Sequence, residues 1–151
     1  MSKKLSKQSF LALAAIAWSD GRLAPDEAEN LLRAAKAYGV EGADLEVVEK
    51  ATREKIELAD VPTDELLPFD AAITFALASW LARIDGVVKA QEHAGLLALA
   101  KHLGLDAKTR EAATSAAFDT ELAPSSGRGG KYDFAFLIER MQQRLPSLAK
   151  G

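Results

Sequence analysis

Apolar residues recur along the chain with a helical spacing of three to four, interrupted by Gly, Pro and Asp, and strict two-residue alternation is hard to find. The pattern predicts an all-α protein of about seven helices, over residues 5–19, 25–38, 44–58, 68–84, 90–103, 107–120 and 133–145. Pro25 suits a first helical turn and Asp106 precedes a helix. Gly39 and Gly104 stand where a left-handed residue ends a helix, and Pro146 follows the last one. In the fourth helix Phe69, Ile73, Leu77, Trp80 and Ile84 form one stripe, while Phe75 and Leu81 add apolar surface elsewhere around the cylinder. A helix that is apolar nearly all round belongs in the middle of the fold. The first helix, with Leu5, Phe10, Leu13, Ile16 and Ala17, is narrower and is expected beside it, with Trp18 near the following turn.

Sliding the chain against itself by 65 positions uncovers an internal repeat. Asp20-Gly21 falls on Asp85-Gly86, Glu27 on Glu92, Leu31-Leu32 on Leu96-Leu97, Ala35-Lys36 on Ala100-Lys101 and Gly39 on Gly104. Upstream, Phe10 meets Phe75 and Ala17 meets Ala82. Each unit therefore reads as helix, acidic loop, helix, glycine turn, helix. Two such units, over about 5–60 and 66–121, are expected to bury their apolar faces on each other around a pseudo-twofold axis. The domain organisation that follows is a duplicated helical body over 1–123, a Pro/Ser/Gly-rich connector over 124–131 and a C-terminal amphipathic helix within 132–151. Phe134, Phe136, Leu137, Met141 and Leu145 mark the apolar side of that last helix, which either docks back on the body or reaches a partner.

Composition narrows the function classes. Alanine and leucine outnumber the β-branched residues, which suits helices. With 151 residues the chain is long enough for one domain with a buried core. A net charge of −3 is too mild to imply nucleic acid or an anionic membrane as partner. No cysteine is present, which excludes disulfides, thiolate metal sites and cysteine nucleophiles and makes a reducing cytoplasm the expected location. The opening MSKKLSKQSF runs straight into an Ala-rich amphipathic stretch, which predicts no export signal. The longest uncharged run, residues 71–82, falls short of the roughly 20 residues needed to cross a bilayer.

The repeated loop, Asp-Gly-x-Leu/Val-x-x-x-Glu, carries the candidate chemistry. Glycine after aspartate allows a positive φ that reverses the chain, so Gly21 and Gly86 are the structural residues of the loop. Glu27 and Glu92 fall in the first turn of the next helix, where unpaired amides and the helix dipole stabilise a carboxylate. The short carboxylates of Asp20 and Asp85 can accept loop N–H groups, so all four acids have a purely structural explanation. The same spacing also copies the second half of an EF-hand loop, with Asp, Gly, an aliphatic and a Glu in order. The first half is missing: Ile16 and Trp18 in one unit, and Leu81 and Arg83 in the other, stand where oxygen ligands belong. A single loop cannot supply the six to eight oxygens calcium takes. The second reading is therefore one shared calcium or other divalent ion held by Asp20, Glu27, Asp85 and Glu92 together, with Arg22, Arg83 and Lys89 competing for the same acids.

Two such loops on a duplicated helical chain of this length resemble the tellurite-resistance TerB family, over most of residues 5–123. The resemblance implies a cytoplasmic bacterial helical domain associated with tellurite resistance and with stress or phage defence. It implies calcium binding for some members, with carry-over limited to Asp20, Glu27, Asp85 and Glu92, and an adaptor role toward protein partners. Related modules are attached to J-domain co-chaperones, but no His-Pro-Asp tripeptide occurs here.

Other signals read as structure. His93 and His102 are nine residues apart on one helix, which is the wrong spacing for a chelating pair, and both are expected at the surface. Gly127-Arg128-Gly129-Gly130-Lys131 has Tyr132 where a phosphate loop needs Ser or Thr, and no strand precedes it. Glu54, Glu57, Asp60, Asp64, Glu65 and Asp70 read as a solvated turn between the units. No nucleophile elbow or zinc helix motif is present, so no catalytic residue is assigned and a non-enzymatic role is expected.

Overall fold

A computed structural model describes residues 5–18, 25–62, 66–81, 90–122 and 133–149, without the side chains of residues 26, 27, 90–93 and 149. Among the described residues it is all-helical. The order is α1 (Lys7–Trp18), α2 (Pro25–Ala37), α3 (Gly42–Arg53), a 3₁₀ turn (Leu58–Asp60), α4 (Pro68–Leu81), α5 (Ala90–Leu103), α6 (Ala107–Leu122), α7 (Phe134–Arg144) and the short α8 (Pro146–Ala149).

Helix α4 is central, as its all-round apolar sequence demands: every residue from Ala71 to Leu81 is buried, together with Phe69. Pro68 opens it, where the missing N–H is no loss. Two helices pack closely on it. Helix α1 brings Phe10, Leu13 and Ala14, all essentially inaccessible. Helix α6 presents Ala113, Ala116, Ala117 and Thr120, a stripe at spacings of three and four whose small side chains let the two backbones approach. The hydroxyls that this packing buries are satisfied within the turn behind them: Ser79 donates to the Phe75 carbonyl (3.1 Å) and Thr120 to that of Ala116 (2.8 Å). Where α1 meets α4, the hydroxyls of Ser9 and Thr74 hydrogen-bond at 2.9 Å, fully buried.

The ends of α2 and α5 are built alike. In each, a glycine takes a positive φ (87° at Gly39, 73° at Gly104). The amide of the next residue reaches back five positions, Val40 to the Ala35 carbonyl (2.9 Å) and Leu105 to that of Ala100 (3.0 Å). The glycine amides bond to Lys36 (3.2 Å) and Lys101 (3.1 Å). These bonds satisfy carbonyls that a helix C-terminus leaves open, and only glycine enters this conformation without strain.

Helix α3 runs beside α1 in the same direction, with Lys7 on Asp44 at their first turns (3.5 Å) and the Trp18 indole N–H on the Ala51 carbonyl at their last (2.8 Å). It ends at Arg53 and not at the expected position 58. Glu54 is extended (φ −118°, ψ 127°), and its amide closes the last helical bond, to the Lys50 carbonyl. The chain then lays Ile56 and Leu58 against the core and buries Val61. The last helix docks back: Leu137 and Met141 of α7 are completely buried in the same core as α1 and α4. Pro146, expected to follow the last helix, instead begins α8.

Candidate functional site

Asp20 and Gly21 precede α2, Asp85 and Gly86 precede α5, and all four lie outside the described residues. Glu27 and Glu92 are each the third residue of their helices, in the first turn where the sequence put them, but their side chains are not described. The coming together of the four acids is thus a matter outside the described residues. Among the described residues no group of three or more His, Asp or Glu side chains is arranged to hold a metal ion.

What the structure does describe is the scaffold around these turns. Trp18, the last residue of α1, is anchored by its bond to Ala51. The far ends of α2 and α5 are tied down in a reciprocal way. The Tyr38 hydroxyl, just beyond α2, donates to the Phe134 carbonyl at the start of α7 (3.0 Å). The His102 imidazole Nε2, in the last turn of α5, bonds to the Val61 carbonyl (2.8 Å) in the segment after α3. The end of α2 is thus tied to the start of α7, and the end of α5 to the segment after α3. The expectation of a surface histidine is corrected at His102: it is half-buried by this bond, because Val61 turns into the core beside it. The side chain of His93 and residues 127–131 lie outside the described residues.

The acids between the halves behave as a solvated turn where they are described. Glu54 pairs loosely with Lys50 (3.8 Å) and Glu57 with Lys55 (3.9 Å), in exposed settings where an ion pair is worth little. Asp106 acts locally, its carboxylate accepting from the Thr109 amide at 2.7 Å and capping α6. That bond, with the neighbouring Thr109 hydroxyl next in weight, holds the Asp106 carboxyl below the ordinary value of 3.8.

The most elaborate contact is the seat of α7. Phe134 stands edge-on to Tyr38 (5.5 Å between centroids) and to Trp80 (5.4 Å). Asp119 of α6, half-buried, takes Arg140 (3.3 Å) and Arg144 together. Asp133 caps the helix by accepting from the Phe136 amide (3.0 Å). The amphipathic pattern of α7 is visible in the sequence, but Asp119 as its anchor is not, since one acid within a helix carries no signal of its own. Outside this seat, Phe118 and Leu122 lie four apart on α6 and are 42% and 69% exposed. No family model, curated protein or solved structure matches the chain. No helix among the described residues is long and apolar enough to cross a membrane.

Proposed function

We propose that this chain is a non-enzymatic helical adaptor of the kind its TerB resemblance implies, serving a bacterial tellurite-resistance or stress response by presenting helical surfaces to protein partners. The resemblance rests on duplication, and one observation supports it above the others: Ser9 and Thr74, which touch at the crossing of α1 and α4, are separated by the 65 positions of the sequence repeat. Residues equivalent in two units meet each other when they lie on the axis relating those units. The matched glycine turns at Gly39 and Gly104, and the reciprocal grips of Tyr38 and His102, agree with a pseudo-twofold. Phe118 and Leu122 supply exposed apolar surface of the sort a partner covers.

The test is chemical cross-linking of the tagged full chain in its bacterial host, with partners identified by mass spectrometry, alongside thermal melts in calcium and in chelator. The adaptor reading expects a reproducible cross-linked protein and superimposable melts. A cation held at 100 times its dissociation constant would raise stability by about 2.7 kcal/mol. A chain recovered without partners, with a calcium-induced rise that Glu27→Ala and Glu92→Ala together abolish, would replace the adaptor by a divalent-cation sensor.

A further inference from the structure

We draw no further inference here: the strongest candidate, the apolar surface patch that Phe118 and Leu122 form on α6, carries none because nothing in the structure shows what covers it.

Discussion

The buried hydroxyl pair at the crossing of α1 and α4 offers the sharpest test of how these two helices meet. The Thr74 hydroxyl lies 2.8 Å from the Asp70 carbonyl and 2.9 Å from the Ser9 hydroxyl. Thr74 has one proton, so donating it to Asp70 leaves its oxygen to accept from Ser9. Thr74→Val keeps the shape and removes both bonds, leaving the Ser9 hydroxyl enclosed without its partner. The expected cost is about 1–3 kcal/mol, the desolvation of an unmet polar group. Ser9→Ala should cost less, because Thr74 keeps Asp70. The double variant replaces both hydroxyls by apolar groups and should return to within about 1 kcal/mol of the wild type. The cycle therefore predicts that the double variant is more stable than the sum of the singles by at least about 0.5 kcal/mol. Urea unfolding followed by circular dichroism measures all four proteins, and a thermal melt cross-checks it at about 2–4 °C per kcal/mol for a chain of this size. Additive effects, or a neutral Thr74→Val, would show that the hydroxyls do not meet in the folded protein.

Gly104→Ala should destabilise by about 1 kcal/mol: nothing lies within 4 Å of the added Cβ, so the φ of 73° alone carries the cost. Equal stability by urea unfolding would mean the turn relaxes freely. Asp133→Ala should cost about 1 kcal/mol by uncapping α7 and should raise amide exchange in that helix more than in α4; uniform exchange would refute a separable last helix. The lowered carboxyl of Asp106 contributes stability that is complete above the unfolded value near 3.8 and is lost as pH falls through the lower folded value. Asp106→Asn keeps a capping oxygen and should flatten that part of the acid-side stability profile, measured by melts at successive pH values; an unchanged slope would refute the assignment.

Much of the helical plan was legible because it depends on short-range rules. The α5 bounds coincide with the expected 90–103, since Gly104 ends the helix by a backbone preference that needs no tertiary partner. Helix α4 announces its central place through side chains that leave no polar face. The third helix ends before the expected position because Ile56 and Leu58, which continue the apolar pattern, meet the core from the segment after Glu54, where the backbone has left the helical conformation. The candidate site was legible only as spacing. Periodicity places Glu27 and Glu92 in first helical turns, while bringing acids from two loops together is a long-range event about which local pattern is silent.

By itself, the order of residues determined which segments are helical, which helix is apolar enough to be surrounded, and that glycines 65 positions apart end α2 and α5 in the same way. These follow from backbone preferences and burial, which act on each segment separately. Only the tertiary structure decided that Ser9 meets Thr74, that His102 bonds to the Val61 carbonyl and Tyr38 to that of Phe134, and that Asp119 holds two arginines of α7. A hydrogen bond or ion pair needs two groups within about 3–4 Å in one geometry. That condition is set by how whole helices cross, which no single segment encodes.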